Sequence, residues 1–231
     1  MFSTRNWLTG AALAAVTIGA VAAAPMSAWA GTLQETVNVA STATDWVTGQ
    51  NGVPALNFQG FDALATAASL NPSQLILSSV TIELTESLIG TAYATNNSAS
   101  SISTTFTIQN TADLNAGGLG TVVDTQKTGS IPIAANSTSP TQNLSGSNSV
   151  TNNYTSSLGQ FLLAWTGTGS DSALEGISGG GGNLVATFTD NGALSVLVTY
   201  NYAAAPVPEP TSIALVGLGL LALGLVRAKR A

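Results

Sequence analysis

The chain has 231 residues, room for one medium domain, and only 7% of them are charged, against roughly 25% in an ordinary soluble domain. It contains neither histidine nor cysteine, which excludes disulfide scaffolds, thiolate metal sites and cysteine nucleophiles, together with the Ser-His-Asp triad and histidine-ligated zinc chemistry. Eleven acidic residues face five basic ones.

Residues 1–30 read as a secretory signal peptide carrying a signal helix. Arg5 supplies the positive start, and from Gly10 to Ala24 every residue except Thr17 is apolar or small. Pro25 ends that run, and Ala28-Trp29-Ala30 places small residues at the two positions a signal peptidase reads. Cleavage after Ala30 starts the mature chain at Gly31. At the other end, Val207-Pro208-Glu209-Pro210 precedes an uncharged apolar run, Thr211 to Val226, and a basic stop of Arg227, Lys229 and Arg230. Sixteen helical residues reach about 24 Å, somewhat short of a hydrocarbon core of about 30 Å. The basic stop should stay cytoplasmic, leaving everything before it outside. The expected organisation is therefore a signal peptide at 1–30, an extracellular domain at 31–206 and a tail at 207–231.

Removing both ends leaves ten acids and a single base, Lys127, a side-chain charge of −9. No basic patch exists to neutralise phosphates, so nucleic acid and anionic head groups are excluded as partners of this domain. Low charge combined with ample apolar residues is the reverse of a disordered composition. A core must form, and its surface must be covered by Ser, Thr, Asn, Gln and Gly.

The periodicity within the domain is two. Strands are expected over Leu33 to Val39, around Val80, Ile82 and Leu84, over Thr104 to Gln109 and over Thr121 to Thr125. Asp62 to Ser69 is alanine-rich and reads as a short helix opened by an Asp cap and closed before Asn71-Pro72. Ser157 to Trp165 has room for another turn or two. The polar stretch from Ala135 to Ser157 reads as a surface loop or a poorly packed edge strand, and Gly179 to Gly182 as a loop tip. Leu184 to Thr189 and Leu194 to Tyr202 alternate on either side of Asp190-Asn191-Gly192, and Asn-Gly predicts a hairpin turn there. Short β-branched runs between polar turns give an all-β fold, a β-sandwich or jelly roll.

The tail's ordered features, Pro-Glu-Pro at 208–210, apolar run and basic end, resemble the PEP-CTERM sorting signal of Gram-negative bacteria that make exopolysaccharide and biofilm. The resemblance implies a transient inner-membrane intermediate, removal of the tail by an exosortase-type enzyme, and delivery to the cell surface or extracellular matrix. In the body, Thr44-Asp45-Trp46, Phe58-Gln59-Gly60-Phe61-Asp62, Leu77 to Leu84, Phe161 to Gly169 with its Thr166-Gly167-Thr168-Gly169, and Val196 to Tyr202 are similar to the choice-of-anchor E domain. Ala63 to Gln74 departs from that pattern as an alanine-rich insertion. This second resemblance implies an extracellular module and brings no activity.

Few residues qualify as a site. Glu86 falls on the face of Val80, Ile82, Leu84 and Leu88 in strict alternation, and a buried carboxylate there would have a raised pKa. The plainer expectation is that the strand ends or bulges near Thr85 and turns Glu86 to solvent. Glu83 points the other way, which makes the two a poor pair for glycoside chemistry. Asp171, Glu175 and Asp190 are candidate calcium ligands, being hard oxygen donors in what reads as loops, though turn formation accounts for them equally well. Trp46 and Trp165 are candidate sugar-stacking residues, with the core as the plainer placement. No catalytic constellation and no cofactor are expected. The signal peptide and the resemblance of the tail imply a non-enzymatic exported protein that meets signal peptidase and an exosortase-type enzyme, with exopolysaccharide as a candidate partner. The alternative is a carbohydrate-binding or adhesive surface module aided by calcium.

Overall fold

The computed structural model describes residues 16–20, 30–47, 53–115, 121–179, 181 and 183–205; for 16–20 and Trp46 it describes the backbone alone. Twelve strands are seen among these residues: β1 (Val16–Ala20), β2 (Ala30–Ala43), β3 (Trp46–Val47), β4 (Leu56–Phe58), β5 (Leu75–Asn96), β6 (Ile102–Asn115), β7 (Thr121–Lys127), β8 (Ile131–Ile133), β9 (Ser137–Thr138), β10 (Gln142–Tyr154), β11 (Trp165–Ser178) and β12 (Leu184–Ala204). One helix, α1 (Phe61–Ala67), and 3-10 turns at Pro72–Gln74 and Leu158–Phe161 complete them. The fold is mostly β, as the period of two requires. No helix among the described residues is long and apolar enough to cross a membrane.

Two antiparallel sheets face each other. The first runs β1-β2-β12-β5-β10, with β9 added beside β5, and the second runs β3-β11-β6-β7, with β4 beside β11 and β8 beside β6. β5 and β12 form the spine, paired from Leu184↔Asn96 to Ala204↔Leu75. Alternation then puts Val80, Ile82 and Leu84 of β5 and Leu194, Val196 and Val198 of β12 on the inner face, all fully or almost fully buried. Ala112 and Leu114 of β6 and Val122 of β7 meet them from the other sheet. A second apolar cluster, with Leu88, Ala92, Phe106, Ile108, Ile133 and Leu144, fills the opposite end.

Two expectations change. The hairpin at Asp190-Asn191-Gly192 does not form: β12 passes straight through it, with Asp190↔Gly90 and Gly192↔Leu88 in continuous register along β5. The local turn preference yields to ladder bonds over 21 residues. The irregularity that does occur is a shift against β2 between Gly192 and Leu194. Second, Val16–Ala20, placed in the expected signal helix, is extended and pairs antiparallel with β2. The rest of that helix, Ala28 of the cleavage site and the whole tail with its C-terminal helix lie outside the described residues. Ala135 to Ser157 takes the edge-strand alternative: β10 forms an edge beside β5 from Gln142↔Ala92 to Tyr154↔Val80.

The alanine-rich segment is helical, but its N-cap is Gly60 and Asp62 lies in the first turn. Gly60 has φ 79°, and a Cβ there would collide with the Leu163 carbonyl. That positive φ lets the chain fold back so that Asp62 N–H donates to the Leu162 carbonyl at 3.0 Å, seating Phe61 against Tyr200 and Tyr202. Replacement Gly60→Ala is expected to cost at least about 2 kcal/mol, because it adds both left-handed strain and a backbone clash. Urea denaturation checks this; a change within about 0.5 kcal/mol, typical of neutral surface substitutions, would contradict it.

Candidate functional site

Between the two apolar clusters lies a layer of polar side chains. Glu86 on β5, Asn110 on β6, Asp124 on β7 and Asp171 on β11 are buried, with exposures of 0%, 0%, 6% and 2%. The strands position them by alternation alone. Glu86 follows Leu84 on the inner face, and Asn110 separates Ile108 from Ala112 on the inner face of β6. Asp124 is directly opposite Asn110 on β7. Asp171 is opposite Ala112 while Ala173 is opposite Asn110, so Asp171 sits diagonally from the amide, within the reach of such neighbours. Across the gap, Asn110 Nδ2 donates to Glu86 Oε1 at 2.7 Å.

Two glycines make room for the acids. A Cβ at Gly192 would collide with Asp171 Oδ2 and press on Asn110 Nδ2 at 2.9 Å. A Cβ at Gly146 would strike the Gln126 amide and approach Asp124 Oδ2 at 2.6 Å. Both glycines pair with Leu88, on its two neighbouring strands. Thus Gly192, which sequence rules assign to a turn, serves close packing in a strand interior.

Electrostatics follow from burial. Desolvation pushes Glu86 up to about 7, the Asn110 hydrogen bond opposes the shift, and the charges of Asp171 and Asp124 add to it. Asp171 is pushed up to about 6, again chiefly by burial, with Asp190 and Asp45 adding repulsion and Asn110 opposing. Toward the surface, Glu175 is also raised, first by partial burial and then by Asp190 and Asp45. Asp190 accepts from the Thr44 hydroxyl at 2.7 Å, and Asp45 accepts from Ala173 N–H at 3.3 Å. The three candidate calcium ligands are therefore near neighbours, but only Asp171 is buried; Glu175 is exposed and Asp190 half-buried. Among the described residues no three acids converge with metal-ligand spacing.

Glu86 does not turn outward at Thr85. The strand continues to Asn96, because breaking it would sacrifice ladder bonds to both β10 and β12. Trp165 is not a free platform: it stacks on Phe58 at 3.8 Å, meets Phe161 edge-on, and donates its indole N–H to the Tyr200 hydroxyl at 3.2 Å. The Trp46 side chain lies outside the described residues. Asn110, Asp124 and Glu35 are additional buried polar groups that did not enter the candidate set. Glu35 is wholly buried on β2, and both its oxygens accept from Gln59 N–H at 3.0 Å; burial raises its pKa while that bond opposes the shift. The signal for it was present in Leu33, Glu35, Val37 and Val39, one face of one strand.

The buried acids dictate a pH dependence. A carboxyl whose folded pKa is raised keeps a proton that the unfolded chain releases, so stability is greatest below the unfolded value and falls as pH rises toward the folded one. For Glu86 that window runs from 4.5 to about 7, and for Asp171 from 3.8 to about 6. At about 1.4 kcal/mol per pKa unit, each represents on the order of 3 kcal/mol. With a chelator present, the protein should be more stable at pH 4.5 than at pH 8, and Glu86→Gln should flatten the dependence. Urea midpoints across that range check it; a midpoint rising with pH would contradict it.

A family model for the PEP-CTERM protein-sorting motif matches residues 206–230. This motif implies export, surface sorting and processing by an exosortase. The match covers the tail and does not extend into the sandwich. No curated protein and no solved structure matches the chain.

Proposed function

We propose that this chain is a non-enzymatic exported protein of a Gram-negative bacterium, passed through the inner membrane and sorted by an exosortase-type enzyme to the cell surface or exopolysaccharide matrix. The observation that carries the reading is the sorting motif at 206–230, which includes Val207, Pro208, Glu209, Pro210, Arg227, Lys229 and Arg230. The fold is compatible with processing at both ends. β12 ends at Ala204, just before the motif, and Ala203 pairs with Ala30. Signal and tail thus leave from one end of one sheet. Cleavage between Ala30 and Gly31 removes β1 but leaves β2 paired with β12 from Gly31↔Tyr202 onward.

The outer face of the first sheet supports a place in a hydrated polysaccharide. Its cross-strand contacts are hydroxyl and amide pairs: Thr91 with Thr189 at 2.6 Å, Thr95 with Thr138 at 3.0 Å, Asn201 to Ser79 at 2.9 Å and Gln34 to Thr199 at 3.1 Å. Such a surface meets neutral sugars without stripping water from charges. A second reading, a carbohydrate-binding or adhesive module, gains support from Tyr93. It is 38% exposed on this face, opposite Thr187, so a ring is available for sugar stacking. Tyr93→Ala should then lower polysaccharide retention without unfolding the domain; unchanged retention favours the first reading.

The intact mass of the protein from envelope and extracellular fractions tests the sorting. A species starting at Gly31 and ending near Pro208 to Pro210 is expected, any excess mass reporting attached glycan or lipid. A species still carrying Thr211 to Ala231 in the inner membrane would make it an anchored protein instead.

A further inference from the structure

The polar layer is more than a set of acids near one another. Five of its atoms are buried with no partner at good hydrogen-bond geometry: Glu86 Oε2, Asn110 Oδ1, Asp124 Oδ2 and both carboxylate oxygens of Asp171, to which the Asn110 amide and Ser172 N–H are close enough only to offset part of the effect of burial. All five are oxygens, and among the described residues no buried side-chain donor is left unpartnered. Native interiors rarely leave such groups unpaired, and an isolated buried carboxylate is costly enough that it must be neutralised. Among the described residues there is no countercharge, since Lys127, the one basic residue between 31 and 206, is exposed at the end of β7. What the layer lacks is positive charge that accepts hard oxygen ligands.

We propose that the layer binds a divalent, oxygen-preferring cation between the two sheets, held by Glu86, Asn110 and Asp171 with Asp124 beside them. Two carboxylates, one from each sheet, balance the charge of such an ion, and Asn110 joins them through its free Oδ1. Calcium takes about 6–8 oxygen ligands; Glu86 Oε2, Asn110 Oδ1 and the two carboxylate oxygens of Asp171 supply four of them, and water completes the shell. Gly192 makes room for the Asp171 carboxylate beside Asn110, and Gly146 for the Gln126 amide beside Asp124; a side chain at either would displace them. Glu175, Asp190 and Asp45 lie outward of Asp171 and give a cation an acidic approach.

Calcium is the probe, and the processed protein purified from its producing cells is the sample. Equilibrium dialysis at pH 8 should find one calcium per chain, and thermal melts should shift upward by about 5–10 °C at saturating calcium relative to chelator. Glu86→Gln and Asp171→Asn should each weaken binding at least tenfold, while Glu83→Gln on the outer face leaves it unchanged. The isosteric Glu86→Gln keeps the test open if Asp171→Asn does not fold. No bound calcium together with equal melts in calcium and chelator would overturn the proposal, leaving protons as the neutralising charge. Full affinity in both Glu86→Gln and Asp171→Asn, or equal loss in Glu83→Gln, would also overturn it by placing the ion elsewhere.

Discussion

The constraint on which the molecule depends is the placement of carboxylates inside a sheet sandwich with almost no basic residues. β5 is 22 residues long and paired on both sides, so it has no means of turning Glu86 out of the core without losing its ladder. Alternation forces the side chain inward, and β6, β7 and β11 answer with Asn110, Asp124 and Asp171 at the same level. The core is split in two as a result. One apolar cluster runs from Leu33 to Tyr202 and includes Phe58, Phe61 and Tyr200, and the other gathers Leu88, Phe106 and Ile108. Apolar side chains in these positions would pack both clusters into one. The layer therefore costs stability unless it is neutralised, and that cost is what ties its state to pH and to cations.

Much of the architecture was legible from period-two alternation. Val80, Ile82, Leu84 and the Leu194 to Tyr202 run gave the spine, and the all-β class followed. Local signals misled where they competed with long strands. Asn191-Gly192 has the chemistry of a hairpin turn, yet the apolar phase of Leu184, Ala186 and Phe188 continues unbroken into Leu194 and Val196. That unbroken phase indicated one strand, because a turn of arbitrary length would preserve it only by chance. Gly192 is explained by Asp171, on a different strand of the other sheet, and no local rule could reveal that contact. Glu86 shows the same pattern: alternation placed it inside, and the expectation that a charge avoids the core argued against what alternation required. Asp171 was legible as an oxygen donor but not as a buried one. Trp165 is accounted for by its stack on Phe58 and its bond to Tyr200, which only the fold brings together.

Function divides along the chain. The tail carries an address, read from three short features in order, while the body carries the physical properties needed after delivery. Those properties are an outer sheet face rich in hydroxyl and amide groups and an acidic layer inside. Extracellular modules bind calcium with affinities of about 10⁻⁴–10⁻³ M, far weaker than cytosolic buffers and sensors, which suits the higher calcium levels met beyond the membrane. An interior completed by such an ion would reach full stability only after export, which connects the buried layer to the destination named by the tail.

The most direct measurement of the central claim is the carboxyl carbon NMR titration of Glu86 in cation-free buffer, assigned by comparison with Glu86→Gln. Burial in the polar layer predicts a midpoint near pH 7. A midpoint near the ordinary 4.5 would mean that Glu86 is solvated, and that the core is not divided by an acidic layer.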